Sequence, residues 1–465
     1  MKSDERLKDG KRTSGVPKAT ASSTVRAKLS KPEKRAEPPV AVLAPVGRLS
    51  DTPRGSAAGA VIGRRAAERL RQGHLWVYAS DIESLAIGDP ENPPALVQIA
   101  DHRGLFLGTA LYSPSSQIAL RLVSREAIGE AEWLDLLAER LTAAIGRRNS
   151  MLTRETDACR LCFSEADALP GLVIDKYGPL AIVQRLARGL MMPGVEERLV
   201  AVLRKEVAPA AILERPDPRI RELEGLPTPG VEPLWCGERQ KKKDLFQAQF
   251  RLNGLTLHYD ANAGQKTGAF LDQRMNYAAA WEWARQLGTI GRALDVCCYQ
   301  GGFALHLAEV CQSVTGVDAS RASLEIAELN LNANREHLSA AVDWVEGDAF
   351  AVLRDWSDAG ERYDTIVLDP PAFAKTRRAV EGALRGYKEL NLRAIKMLRP
   401  GGLLITCSCS HHVAAGEFEA AVASAAADAH RRVRLLERRG AAPDHPVVLN
   451  LPETEYLKCL VLEVE

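Results

Sequence analysis

Residues 294 to 318 read LDVCCYQGGFALHLAEVCQSVTGVD, and the fold follows from this stretch. A short apolar run through Leu294 and Val296 breaks into Cys297-Cys298-Tyr299-Gln300-Gly301-Gly302. Phe303, Ala304, Leu305, Leu307 and Ala308 then take up the apolar spacing of a helix. The order is strand, glycine turn, helix. A second apolar run, Val314 to Val317, stops at Asp318, so an acid stands at the tip of a second strand roughly 20 residues beyond the first. Glycines let backbone amides approach a ligand, and the acid can hold both ribose hydroxyls. The unit is that of an adenosine-bearing cofactor.

The turn narrows the choice of cofactor. A dinucleotide site wants G-x-G-x-x-G, with a pyrophosphate on the helix N-terminus, but here Asp295 opens the turn and only Gly301 and Gly302 close it. An acid at this place suits a cationic or amino-bearing group, which S-adenosylmethionine supplies. Val345 to Asp348 is another strand end with an acid, and Tyr363 to Asp369, followed by Pro370-Pro371, is a fourth. Four acids at successive strand tips predict a methyltransferase. The expected cofactor is S-adenosylmethionine, held by Asp295, Tyr299, Gly301, Gly302, Asp318, Asp348 and Asp369. Residues 264 to 274, GQKTGAFLDQR, form a polar, glycine-bearing segment just before the turn that can fold across the cofactor, which adds Gln273 and Arg274 to the expected wall.

At 465 residues and 46% hydrophobic content the chain should hold two or three domains with well-filled cores. No apolar run approaches the roughly 20 residues needed to span a bilayer, and the N-terminus carries no apolar signal core. The expectation is a soluble, cytoplasmic protein without a membrane partner. Nine cysteines in a long chain argue for reduced thiols. Cys159-Arg160-Leu161-Cys162 has no second pair near it, and no metal is expected. The net charge of +1 hides an asymmetry, since residues 1 to 35 hold eleven Lys and Arg against four acids. This tail, residues 1 to 57, is expected to be disordered, with a role in attracting RNA phosphates or none beyond solvation.

Arg64 to Gly73 reads as a short basic helix closed by glycine, followed by His74-Leu75-Trp76-Val77-Tyr78 and several short strands to Val123. RQGHLWVYASDI and GTALYSPSSQIALRLVS resemble the RNA-binding PUA module. An amphipathic helix over 131 to 148 follows. Two strand-like runs separated by Asp175-Lys176-Tyr177-Gly178 then read as a hairpin, with a helix near 194 to 205 and a strand near 211 to 215. The fold class is therefore α/β: a small β-rich PUA-like domain at 58 to 127, a middle α+β domain at 128 to 252, and a C-terminal Rossmann-like class I methyltransferase domain at 253 to 465. The middle domain reads equally as a substrate platform or a spacer.

The segments GQKTGAFLDQR, LDVCCYQGGFA, VTGVDAS, LDPPAF, LRGYKELN and TCSCS, in this order after a PUA-like domain, resemble the bacterial large-subunit (23S) ribosomal RNA cytosine-5 methyltransferase family. The resemblance covers the chain from about residue 58 to its end. It implies 23S ribosomal RNA, free or in an early assembly particle, as the partner, and leaves a homodimer open.

Arg399 to Ser410 reads as a turn and a buried strand whose C-terminal end delivers a thiol to the ligand edge of the sheet. Carbon 5 of cytosine is a poor nucleophile until a thiolate adds at carbon 6, so this reaction needs a cysteine beside the methyl donor. Counted from the paired glycines, Cys409 matches the nucleophile of RNA cytosine-5 methyltransferases. Cys407, one strand repeat earlier and expected on the same face, is the competitor. Asp369 is the second catalytic candidate, placed to share a proton at nitrogen 3 of the base. Many relatives carry a second cysteine where this chain has Asp369-Pro370-Pro371, so the base that takes the carbon 5 proton is not identified. Phe373 is a candidate to stack on a flipped base, Lys375, Arg377, Arg378 and Arg385 to contact phosphates, and His445 to approach the substrate. Two other functions compete: methylation of a base nitrogen, such as guanine nitrogen 7, which Asp-Pro-Pro-x-Phe loosely resembles, and a non-catalytic RNA-binding assembly factor.

Overall fold

The computed structural model describes residues 59 to 227, 230, 232 to 237, 245 to 261 and 268 to 465. The expected tail, and residues 264 to 267 of the segment before the turn, lie outside these.

The N-terminal sheet comprises β1 (Gly59–Ile62), β2 (Trp76–Tyr78), β3 (Ile82–Ala86), β4 (Leu96–Asp101), β5 (Phe106–Tyr112) and β6 (Ile118–Ser124), with helix α1 (Arg64–Arg71) after the first strand. Strand order is β2-β6-β5-β4-β1-β3, and β1 runs parallel to β4. Helix α1 buries Ala66, Ala67 and Leu70 on one face and turns its arginines outward.

The middle sheet follows α2 (Glu130–Arg148) and is built from β7 (Ala158–Phe163), β8 (Leu172–Tyr177), β9 (Leu180–Arg185), β10 (Ala211–Glu214) and β11 (Trp235–Cys236), with α3 (Val195–Glu206) and α4 (Pro218–Leu223) between strands. Its order is β11-β10-β9-β8-β7. The expected hairpin exists, but its turn is shorter than the polar residues indicated. Asp175, Lys176 and Tyr177 belong to β8, and Gly178, at φ 52°, makes the turn with Pro179. Asp175 is no turn marker because Arg160 on β7 neutralises it through two hydrogen bonds of 2.8 Å.

A two-stranded hairpin, β12 (Gln247–Leu252) and β13 (Leu255–Asp260), joins this sheet to the C-terminal half. Its turn residues Asn253 and Gly254 both have positive φ, 54° and 92°, as a tight antiparallel hairpin requires. The expected division between residues 252 and 253 falls inside this turn.

The C-terminal sheet follows α5 (Arg274–Leu287). It alternates β14 (Arg292–Val296), α6 (Gly302–Ala308), β15 (Ser313–Asp318), α7 (Arg321–Asn334), β16 (Ala341–Glu346), α8 (Ala349–Ala359), β17 (Tyr363–Leu368), α9 (Val380–Met397), β18 (Leu398–Ser408), α10 (Ala415–Asp428), β19 (Val433–Arg439) and β20 (Lys458–Val464). The order is β16-β15-β14-β17-β18-β20-β19, parallel except for β20, which runs antiparallel to both neighbours. Strand β14 pairs with β15 on one side and β17 on the other, so the winding reverses there. Ligands bind in the crevice that such a reversal opens at the carboxyl ends of the strands. Among the described residues no helix is long and apolar enough to cross a membrane, and no group of three or more His, Cys, Asp or Glu is placed to hold a metal ion.

Candidate active site

Beyond Val296 the chain turns sharply into α6. Cys297, Tyr299 and Gly301 all have left-handed backbone, at φ 62°, 51° and 83°. For the two non-glycine residues this costs about 1 to 2 kcal/mol each, and hydrogen bonds offset it. Cys298 N donates to Val317 O at 3.0 Å, Tyr299 N to Asp318 Oδ2 at 2.9 Å, and Tyr299 Oη to Gly268 O at 2.8 Å. The turn is thus sewn to the end of β15. Gly302 is required for space, since a Cβ there would stand 2.5 Å from Cζ of Tyr277.

A cleft of about 770 Å³ opens over this turn. Tyr299, Gly302, Asp318, Asp348, Asp369, Gln273 and Cys409 all lie on its wall, as do Phe373 and Lys375. The carboxylate of Asp318 is fixed by two backbone donors, Tyr299 N and, at 2.8 Å, Ser320 N. Asp348 is the N-cap of α8 and accepts from Ala351 N at 3.0 Å. Gln273 accepts from Asn276 Nδ2 at 2.6 Å.

Two expected wall residues sit beneath the surface instead. Asp295 is fully buried, and its Oδ2 accepts from Ala304 N at 2.8 Å in the first turn of α6. Burial, with the charges of Asp369 and Asp318, raises its pKa well above the usual carboxylate value against that one hydrogen bond. Gly301 supplies the left-handed corner and is likewise absent from the wall.

Arg274 departs further from the expected wall. It points away from the cleft into a buried cluster, donating to Asp444 Oδ1 and Ala158 O, each at 3.3 Å. Asp444 also accepts from Arg160 N at 2.9 Å. A guanidinium this deep needs a carboxylate partner, and Asp444 is that partner. His445 is drawn into the same cluster: it is buried, 3.2 Å from Asp444 Oδ1 and packed on Phe163, away from the cleft wall.

The two competing cysteines are not presented alike. Cys407 is in β18, fully buried and paired in register with Cys459 of β20. Burial, and then Cys459, push its thiol well above the ordinary range. Cys409 lies just past the last residue of β18, on the cleft wall, with Sγ 3.8 Å from Pro370 O. The two-residue alternation that would put both on one face stops with the strand at Ser408. Among the candidate arginines, Arg378 and Arg385 flank a smaller side cleft behind Phe350 and Phe373, and Arg385 pairs with Glu381.

Sequence reasoning gave no site role to Asn330, Asp272 or Tyr456, although Tyr456-Leu457-Lys458 recurs in the family the chain resembles. All three line the cleft. Asn330 Nδ2 donates to Gln300 O at 3.0 Å, bracing the glycine turn from α7. Tyr456 Oη donates to Asp272 at 2.5 Å. Asp272 stands within GAFLDQR, where nothing local distinguishes it from its neighbours.

Residues 61 to 125 match the family described as PUA-like domain, and residues 235 to 461 match the S-adenosylmethionine-dependent methyltransferase family. Ribosomal RNA large subunit methyltransferase I of Photobacterium profundum is 36% identical over 398 residues, covering 84% of this chain and 95% of that protein. The protein of the same name from Tolumonas auensis is 36% identical over 395 residues, covering 84% of this chain and 96% of its own length. Among solved structures, a SAM-dependent methyltransferase from Streptococcus mutans superposes with a TM-score of 0.70 at 20% identity, covering 87% of this chain and 99% of that one. At that identity the likeness concerns the fold alone. The cleft suits the cofactor the family requires. Asp318 turns to the cleft a carboxylate oriented by two backbone amides, an acceptor of the kind ribose hydroxyls require, and Asp295 Oδ1 is a buried acceptor without a hydrogen-bond partner among the described residues, which favours positive charge close by. Across nearly the whole length of its relatives, then, this chain belongs to the ribosomal RNA large subunit methyltransferase I family and uses S-adenosylmethionine.

Proposed function

We propose that this protein methylates carbon 5 of a cytosine in 23S ribosomal RNA, in the cytoplasm, with Cys409 as the nucleophile. The RNA class comes from the names of its relatives and is supported by the PUA-like match. On α1 it is Arg64 and Arg65 that are available for phosphates, because Arg69 and Arg71 pair with Asp81 and Asp101.

The observation that carries the reading is a thiol on the wall of the cofactor cleft, beside Asp369-Pro370, where nitrogen methylation would need none. S-adenosylmethionine, when bound, supplies an electrophilic methyl group. Asp318 holds the ribose end. The Cys409 sulfur, as thiolate, bonds to carbon 6 of the cytosine and shifts electron density onto carbon 5. Asp369 shares a proton at nitrogen 3, which stabilises the adduct. After carbon 5 is methylated it loses its proton, and the electron pair left behind expels the thiolate. Phe373, packed against Phe350 and Tyr387 at 5.8 and 4.8 Å between ring centroids, offers a face for the flipped base.

RNA containing 5-fluorocytosine tests the reading, because fluorine cannot leave as a proton does. The expected result is a protein–RNA adduct that survives denaturing electrophoresis. Methylation of ordinary RNA with no such trapping would reject the cytosine-5 reaction and favour a base nitrogen as the acceptor.

A further inference from the structure

Lys458 opens β20 directly opposite Ser408, the last residue of β18. Its ammonium reaches past the strand end and donates to Ser410 O at 2.7 Å and to Tyr456 O at 2.8 Å. The side chain is therefore anchored on both sides of Cys409, by strand register to the residue before it and by hydrogen bond to the residue after it. Both acceptors are neutral carbonyls rather than carboxylates. An ammonium withdrawn from water needs an anion nearby to remain charged at low cost.

The surroundings of Cys409 make the opposite demand. Asp318, Asp348 and Asp369 share its cleft, and their effect on a thiol is visible at Cys297 on the same wall, where burial and the charges of Asp318 and Asp369 push the pKa upward. A nucleophilic thiolate in so acidic a cleft requires a cation. Burial lowers the pKa of Lys458, and the charges of Cys409 and, after it, Glu455 act to restore it. Among the described residues, the titratable groups around the pair include Tyr387 of α9, whose hydroxyl meets Ser410 Oγ at 2.8 Å, Tyr456, and His411, which burial, His412 and Lys458 lower and Glu453 raises. Among the described residues, Lys458 is a cation that its hydrogen bond to Ser410 O aims at the loop carrying Cys409.

We propose that Lys458 is the counter-ion of the Cys409 thiolate, a positioning residue that keeps the nucleophile ionised. The inference rests on Cys409 being the nucleophile. In forming the ion pair the Cys409 proton passes to solvent, sulfur keeps the electron pair, and Lys458 retains all three of its protons. The same arrangement gives the departing thiolate a stable resting state after methylation.

The test is the pH dependence of Cys409 alkylation by iodoacetamide in the full-length protein, followed peptide by peptide in a mass spectrometer. Loss of a neighbouring opposite charge moves a pKa by about one unit or more, so Lys458→Met should raise the midpoint by that amount and slow alkylation at neutral pH roughly tenfold. Lys458→Arg should stay near wild type. A merely structural lysine would alter unfolding temperature without moving the midpoint. A folded Lys458→Met protein with the wild-type midpoint overturns the proposal. Should Lys458→Met fail to fold, the reciprocal measurement decides. In Cys409→Ser, Lys458 loses its anion, its pKa falls, and its acetylation by acetic anhydride near pH 8 should quicken severalfold; an unchanged rate overturns the pairing. Neither readout involves RNA, so failure of the 5-fluorocytosine adduct would remove the reaction while leaving the ion pair standing.

Discussion

Arg274 Nη2 lies 3.3 Å from Asp444 Oδ1, and this buried pair ties the start of α5, just past the cleft residue Gln273, to the loop before β20. Removing one partner of a buried pair leaves the other charge uncompensated and costs about 3 to 5 kcal/mol. Arg274→Ala should therefore lower thermal stability sharply. At temperatures where it remains folded, its direct effect on S-adenosylmethionine affinity should be small, because the guanidinium does not reach the cleft. Calorimetric unfolding and cofactor titration on the same sample check both parts.

The same pair sets an acid limit on stability. Burial would raise the Asp444 pKa, but the hydrogen bond and charge of His445, the charge of Arg274 and the Arg160 amide outweigh it and hold it at about 2. A carboxylate depressed below its unfolded value, roughly 3.9, contributes stability that is present above that value and is lost as pH falls toward the folded one. Unfolding free energy should thus fall between about pH 4 and pH 2. In Asp444→Asn that part of the slope should be missing, and urea titrations across the range would detect it.

Asp318 joins two tasks, receiving the amides of Tyr299 and Ser320 and facing the cleft. A hydrogen bond to a charged group contributes roughly 1.5 to 3 kcal/mol, so Asp318→Ala should weaken S-adenosylmethionine binding by tenfold or more. RNA binding should change little. Unchanged cofactor affinity by calorimetry would take Asp318 out of the site.

Gly302→Ala places a methyl group 2.5 Å from the Tyr277 ring, which is buried against Phe303 and His306 with centroid distances of 4.7 and 5.3 Å. Overpacking of this kind costs about 1 to 3 kcal/mol. The ring or the turn has to move, and either displacement disturbs the cofactor wall. The expected outcome is reduced cofactor affinity together with a lower unfolding temperature, whereas Gly146→Ala in α2, whose added Cβ meets nothing within 4 Å, should lower neither.

Cys407→Ser puts a hydroxyl into the buried contact with Cys459, and Cys409→Ser leaves the core untouched. The first should cost stability while still forming the 5-fluorocytosine adduct; the second should retain cofactor binding and form none. A reversed pattern on denaturing gels would move the nucleophile to Cys407.

What the sequence determined by itself is local. The strand, turn and helix of residues 294 to 308 and the acids at the strand tips are legible because side-chain period and glycine placement act over a few residues. The class of fold and the cofactor follow from them. Tertiary structure decided what those signals have in common across the chain. An acid at a strand tip looks the same in sequence whether it faces the cleft with its carboxylate held by two amides, as Asp318 does, caps a helix at the cleft's edge, as Asp348 does, or is buried beneath the turn, as Asp295 is. Arg274 was drawn from the cofactor wall by a carboxylate 170 residues away. Cys407 and Cys409 differ because β20 covers one with Cys459 and anchors Lys458 on Ser410 O, the carbonyl just after the other. Long-range pairing assigns such partners by burial and charge balance, which no local pattern records.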